Sequence, residues 1–147
     1  LGDLRFEEVD DVLLENKNAV IYGGAGSIGG AVGRAIAREG ARVFLAGRTP
    51  AKLEAAAEQI RAAGGLAETA EVDALDEHAV DEHADAVAAD AGGIDICFNL
   101  ITHPYTHGIP LAEMAVDDFM APVETAARTT FLTARAAARH MIPGVRG

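Results

Sequence analysis

Residues 22–30 read Tyr22-Gly23-Gly24-Ala25-Gly26-Ser27-Ile28-Gly29-Gly30, directly after the apolar run Ala19-Val20-Ile21 and directly before an amphipathic segment. A glycine cluster at a strand-to-helix junction lets the backbone come close to a phosphate. Two registers fit: Gly24-x-Gly26-x-x-Gly29 and Gly23-x-x-Gly26-x-x-Gly29. The first has the spacing of a dinucleotide fingerprint. In it, one glycine makes the tight turn, the next lets the chain approach a pyrophosphate, and the third packs helix on strand. Such a spacing is weak alone. Its placement strengthens it, because Ile28, Val32 and Ile36 recur every four residues and predict one apolar helix face. The competing reading is an ordinary glycine-rich turn.

The chain has 147 residues, which suits one domain able to bury roughly 70% of its unfolded surface. Half the residues are apolar, without a run long enough to span a bilayer. No basic segment followed by an apolar stretch marks a signal peptide. Cys97 is the single cysteine; it excludes an internal disulfide and fits a reducing cytoplasm. The start at Leu1 rather than Met points to further N-terminal sequence.

Net charge is −11, and residues 68 to 90 carry nine acids, while no Lys or Arg occurs between Arg61 and Arg128. Such a surface repels nucleic acid. Most of the acids read as solvated helix faces. The bases lie early, among them Arg34, Arg38, Arg42 and Arg48. An anionic cofactor would be drawn to Arg48 and to the N-terminus of the first helix.

Further along, strands alternate with helices. Residues 1–16, with Leu4, Phe6, Val9, Val12 and Leu13, read as an N-terminal extension or short helix, and residues 17–147 as the dinucleotide-binding domain. Strands are predicted at 19–22, 42–46, 69–72 and 94–100, and helices at 27–39, 50–63, 76–91 and 116–141. Gly40 and Gly92-Gly93 serve as stops, Thr49 as a cap before Pro50, and Pro122 as a late start or kink. Strands separated by helices of this length need right-handed parallel crossovers, hence an α/β, doubly wound parallel sheet with helices on both faces. A ligand then belongs at the carboxyl ends of the strands. Those ends carry the glycine turn, Gly47-Arg48, Asp73-Ala74 and Asn99.

With these residues in place, the chain resembles the short-chain dehydrogenase/reductase family over about residues 13 to 142. L-L-E-N-K-N-A-V-I-Y-G is similar to the family's entry into its first strand, and A-R-E-G-A-R-V-F-L-A-G-R to its first helix end and second strand. V-D-A at 72–74 resembles the adenine-contacting Asp segment, and G-G-I-D-I-C-F-N the strand leading to the family's Asn-Asn-Ala-Gly signature. T-T-F-L-T-A-R-A-A-A-R-H-M resembles its long helix, which in many members builds a dimer interface. The resemblance implies a Rossmann-type fold, a nicotinamide cofactor, a small-molecule carbonyl or alcohol substrate, and a homodimer or homotetramer. It places Gly23, Gly24, Gly26, Ser27, Ile28 and Gly29 around the pyrophosphate, Asp73 and Ala74 at the adenine, and Asn99 near the ribose. Asp73 has a second reading, as a cap of the following turn.

The departures are equally specific. The common pattern Thr-Gly-x-x-x-Gly-x-Gly would need Thr at Tyr22 and Gly at Ser27. The signature reads Asn99-Leu100-Ile101-Thr102, and the long helix carries Ala126 where many members place a catalytic Asn. At the end of the second strand Gly47 stands where an NAD-selective site holds the ribose diol with a carboxylate. Arg48 follows it, and a guanidinium can clamp a 2′-phosphate. NADP is therefore expected over NAD, with Arg48 as a solvated strand-end residue the alternative.

The family's Tyr-x-x-x-Lys pair is absent: Tyr22 is followed at that spacing by Gly26 and Tyr105 by Ile109, and the lysines are Lys17 and Lys52. The chain reaches Met141-Ile142-Pro143-Gly144 where the catalytic Ser strand is expected. It therefore reads as the cofactor-binding half of a longer protein, without a catalytic residue of its own. Ala25-Gly26-Ser27-Ile28-Gly29 also resembles a degenerate nucleophile elbow. His103 and His107, in a loop with Pro104, Tyr105 and Gly108, fit a pocket lining or solvent better than a metal pair. His78 and His83 do not share a helix face. Cys97 reads as a small core residue, and no metal site is expected. The expected function is an NADP-dependent oxidoreductase acting on a 3-oxoacyl or ketone carbonyl. A non-catalytic, regulatory NADP-binding member and an oligomerising interaction domain are the alternatives.

Overall fold

The computed structural model describes residues 12–103 and 107–141. Asn18–Tyr22 (β1) is buried at every position, which a strand tolerates only when both of its faces are covered. It leads through the glycine turn into Ser27–Arg38 (α1). Arg42–Gly47 (β2), Pro50–Ala62 (α2), Leu66–Glu71 (β3), Glu77–Ala91 (α3), Ile96–Asn99 (β4) and Val116–Met141 (α4) follow, with a 3-10 turn at Leu111–Glu113 before α4. The four strands are all parallel, in the order β3-β2-β1-β4.

Alternate residues of the central strands divide the core in two. Val20, Tyr22, Phe44 and Ala46 pack against Val80, Ala84 and Val87 of α3 and Leu132 and Ala136 of α4. Ile21, Val43 and Leu45 pack against Ala37 of α1 and Leu53, Ala57 and Ile60 of α2. This is the expected doubly wound α/β sheet with helices on both faces. None of the helices formed by the described residues is long and apolar enough to cross a membrane.

The face of α1 differs from the expected stripe. Ile28 is 66% exposed, and Val32 and Ile36 are only half-buried at the margin of the core. The buried residues are Gly29, Gly30, Gly33 and Ala37. Small residues four apart let α1 approach the sheet closely; a methyl group on Gly33 would lie 3.3 Å from both Ile60 Cδ1 and Leu45 Cδ2. Helix-to-sheet contact is made through this line of small residues, and the larger apolar ones flank it.

Smaller differences have local causes. β3 begins at Leu66 because its register pairs Leu66 with Arg42 and buries Ala67. β4 begins at Ile96 because Asp95 is engaged otherwise: its carboxylate accepts from the Asn18 N–H at 2.8 Å and lies 3.7 Å from Lys17 Nζ. Thr49 precedes α2 as expected but makes no side-chain capping bond. Asp76 does cap α3, accepting from the N–H groups of His78 and Ala79. Gly40 and Gly92 take the left-handed conformation, at φ 91° and 82°. α4 begins at Val116 and runs through Pro122. Residues 13–16 form a turn rather than a helix, held by the Leu14 N–H on the Glu39 carbonyl at 2.8 Å. Leu4, Phe6, Val9, Pro104, Tyr105 and positions 142–147 lie outside the described residues.

β4 pairs with β1 on one side only among the described residues. Beside it, a groove of about 460 Å3 runs between Cys97, Phe98 and Asn99 and the α4 residues Thr130, Thr133 and Ala137. Burial pushes the Cys97 thiol up to about 11, in keeping with a thiol packed against the core.

Candidate functional site

Strand order reverses between β1 and β4, and in an open parallel sheet a crevice forms at the carboxyl ends of the strands where it does so. The glycine turn sits there. Gly23 has φ 82°, and a side chain on it would meet the Leu100 carbonyl group at 2.9 Å. The turn is tied to the sheet: the Gly23 and Gly24 N–H groups both donate to the Ala46 carbonyl, at 2.8 and 3.2 Å, and the Gly26 N–H donates to the Gly23 carbonyl. Those three amides are therefore spent on the turn itself. The first intrahelical bond of α1 runs from the Gly30 N–H to the Gly26 carbonyl. The N–H groups of Ser27, Ile28 and Gly29 are the ones a helix start leaves without an intrahelical acceptor. Gly26 at the N-cap supplies no side chain to take them. Donors without acceptors at the positive end of α1 fit an anionic group such as a diphosphate.

A cleft of about 700 Å3 opens from this turn across the sheet's carboxyl edge. Gly23, Gly26, Arg48, Asp73 and Ala74, all expected at the site, line it. Gly24 and Gly29 are buried beneath it, and Ser27 and Ile28 stand exposed at the start of α1. Arg48 extends from the end of β2 with no carboxylate partner among the described residues. One oxygen of Asp73 accepts the Leu75 N–H at 3.0 Å, so the turn-capping role is realised.

The structure does not bring Asn99 into the cleft. Its amide nitrogen donates to Thr129 Oγ1 at 3.0 Å and Thr130 Oγ1 at 3.2 Å, and its oxygen accepts the Ile101 N–H at 3.1 Å. Asn99 thus fastens β4 to α4. Lys52, Thr102 and Thr125 line the cleft without having been expected at the site, whereas His103, read as a pocket lining or a solvated residue, is among the lining residues. Lys52 carries a legible signal, since it follows Arg48 by four residues across the short link into α2. Thr125 does not, because only the fold brings α4 under the β4 loop.

His78 and His83, expected to lie on different helix faces, have different surroundings. His78 is exposed beside Glu82, 3.1 Å away. His83 instead reaches Tyr22, with 3.1 Å between Nδ1 and the phenol oxygen and the rings edge to face. Burial holds His83 down to about 4, and burial, with Cys97 and Asp81 nearby, pushes the Tyr22 phenol up. The unfolded chain thus takes up a proton on His83 at higher pH than the folded one, so this contribution is complete above pH about 6.5 and is lost as pH falls toward 4. His83→Gln should remove that part of the acid sensitivity. Denaturant titrations at pH 7 and pH 4.5 should show a gap between the two pH values narrower than in the wild type by up to about 2 kcal/mol. An unchanged gap would refute the assignment.

Comparison with known proteins agrees with this geometry. The family model for short chain dehydrogenases matches residues 17–147. Gluconate 5-dehydrogenase of Gluconobacter oxydans (strain 621H) is 34% identical over 134 residues, covering 91% of this chain and 52% of that protein. An uncharacterised oxidoreductase of Bacillus subtilis (strain 168) is 37% identical over 122 residues, 83% of this chain and 44% of that protein. A metagenomic short-chain oxidoreductase solved with NADP superposes with a TM-score of 0.80 at 34% identity, over 91% of this chain and 60% of that one. An NAD+-bound xylitol dehydrogenase superposes with a TM-score of 0.82 at 28% identity, over 89% and 50%. The chain spans about half the length of the curated relatives it matches. A glycine turn at the switch point, a parallel sheet wound on both faces and a match along nearly the whole chain lead to one assignment: the chain belongs to the short-chain dehydrogenase/reductase family.

Proposed function

We propose that residues 17–147 form the cofactor-binding half of an NADP-dependent oxidoreductase that moves hydride between NADPH and a carbonyl, of the 3-oxoacyl or ketone class. The observation that carries NADP over NAD is Arg48, free of any carboxylate among the described residues and lining the cleft beside Gly47, where no acid stands to repel a 2′-phosphate. A planar guanidinium can hold two phosphate oxygens at once. The Ser27, Ile28 and Gly29 amides would hold the diphosphate, with Gly23, Gly24 and Gly26 shaping the turn, and Asp73 and Ala74 would border the adenine. When bound, the nicotinamide supplies or accepts the hydride. What this chain contributes is binding and orientation.

Arg48→Asp in the full-length protein tests the reading. NADPH affinity, followed by fluorescence titration, should fall roughly tenfold to a hundredfold, the range of a lost charge-assisted pair. NADH affinity should barely change. Equal losses for both would overturn the choice of NADP.

A second reading, an NADP-binding regulatory member without turnover, is favoured by Ala126, which leaves α4 without the Asn common in active members. NADPH oxidation across a panel of carbonyl compounds separates the two. The exposed Val116, Phe119, Val123 and Phe131 of α4 support a homodimer or homotetramer. The lone free Cys97 supports a reducing cytoplasm.

A further inference from the structure

We propose that the groove between α3 and the outer half of the sheet binds a small neutral aromatic molecule, with a hydrogen-bond acceptor on its inner edge and an N–H donor on its outer edge. The groove holds about 210 Å3 and, among the described residues, shares no wall with the cleft at the glycine turn. The inference is therefore independent of the cofactor reading. Phe44 of β2, Ala70 of β3 and Ala86 and Val87 of α3 give the groove apolar walls. An apolar cavity of about 150 Å3 takes one benzene-sized ring, so a single substituted ring fits here.

His83 sets what that ring must carry. Tyr22 is buried, and its hydroxyl has His83 Nδ1, 3.1 Å away, as its one partner among the described residues. A buried O–H donates where it can, so Nδ1 is the acceptor and the ring proton sits on Nε2. Nothing among the described residues takes that proton. Nor is the atom sealed in: the side-chain polar atoms that are both sealed and unpartnered are Asp81 Oδ1 and Arg135 Nε. His83 lines the groove, and the ring edge left for it, away from Tyr22, is the one bearing the Nε2 donor. Burial keeps this imidazole neutral, its pKa held down to about 4, so it exerts no pull on an anion. Glu68 and Asp90, half exposed at the mouth, share Arg42 between them and leave a net negative charge there. They repel an anion and can accept an N–H from the outer edge of the ring, while the apolar walls disfavour a full charge inside.

The test uses 4-aminobenzamide, whose carbonyl is the acceptor and whose aniline nitrogen supplies the outer donor. Ligand-observed NMR on the full-length protein gives the affinity, and the ring-nitrogen shifts of His83 report the contact. Saturable binding with a dissociation constant of about 1 mM, the scale for one ring of this size, and a shift at His83 Nε2 are expected. p-Toluidine, which lacks the acceptor, should bind about tenfold more weakly, the scale of one hydrogen bond. The anion 4-aminobenzoate should not bind. His83→Leu should show the same tenfold loss, and His83→Gln, whose amide keeps an N–H, should recover most of it. Ala86→Leu fills the groove from an exposed helix position and leaves Tyr22 and His83 untouched; it should abolish binding without lowering the melting temperature. Equal affinity for 4-aminobenzamide and p-toluidine, full affinity in His83→Leu or Ala86→Leu, or displacement of the probe by NADPH would overturn the proposal.

Discussion

Gly29→Ala will destabilise the protein by about 3 kcal/mol or more, the upper range for overpacking against parts that cannot move, and will abolish dinucleotide binding. The added methyl group would overlap the Gly23 carbonyl oxygen, reach 2.9 Å from Gly24 Cα and 3.1 Å from the Gly23 carbonyl carbon. All three are backbone atoms, so no rotamer change relieves them. Nor can the turn swing away: Gly23 and Gly24 are bound to the Ala46 carbonyl, and Gly23 abuts Leu100. Gly26→Ala is the control. Its methyl group would find only the Gly23 oxygen, at an ordinary 3.5 Å, and Gly26 has φ −77°. That variant should keep its unfolding free energy within about 0.5 kcal/mol of wild type yet lose cofactor affinity, because Gly26 lines the cleft. A Gly29→Ala protein as stable as wild type would mean that the turn is not built this way.

Asn99→Leu is the second large effect expected, a loss of about 2–4 kcal/mol from three broken hydrogen bonds, visible as a lower denaturant midpoint at unchanged slope. β4 has only four residues and a neighbour on one side among the described residues, so the Asn99 side chain supplies much of its attachment to α4. Leucine would leave the Ile101 N–H unpaired, along with the lone pairs of Thr129 Oγ1, a fully buried atom group. Aspartate should not rescue. The Thr129 hydroxyl already donates to the Thr125 carbonyl at 2.9 Å, so a carboxylate would face it acceptor to acceptor. Stability of Asn99→Asp equal to wild type at pH 7 would show that the Asn99 amide is not the fastening described.

The sheet and its winding were legible because they rest on local chemistry: apolar runs at 19–22 and 42–46, and the glycine stops Gly40 and Gly92-Gly93. The turn at 23–29 was legible because few sequences place glycines at that spacing after a strand. What failed to show was whatever depends on packing distance. Ile28, Val32 and Ile36 obeyed helical periodicity, yet the sheet accepts Gly29, Gly33 and Ala37, since only small residues permit that closeness. The sequence set His83 off the face of His78 but gave it no partner, and only the approach of β1 makes it Tyr22's partner. Asn99 was legible as a residue at a strand end but not in its direction, which α4 decides from thirty positions away.

The outer margin of β4 has a practical consequence. Among the described residues its outer amides and carbonyls meet no further strand, beside an oily trough formed with α4, and such a row is a mould for any extended peptide that comes near. The short span of four residues fixes the register of a newcomer only loosely. Handled alone at high concentration, this stretch therefore courts misjoined sheets, and the order in which neighbouring segments reach that margin becomes a determinant of folding yield.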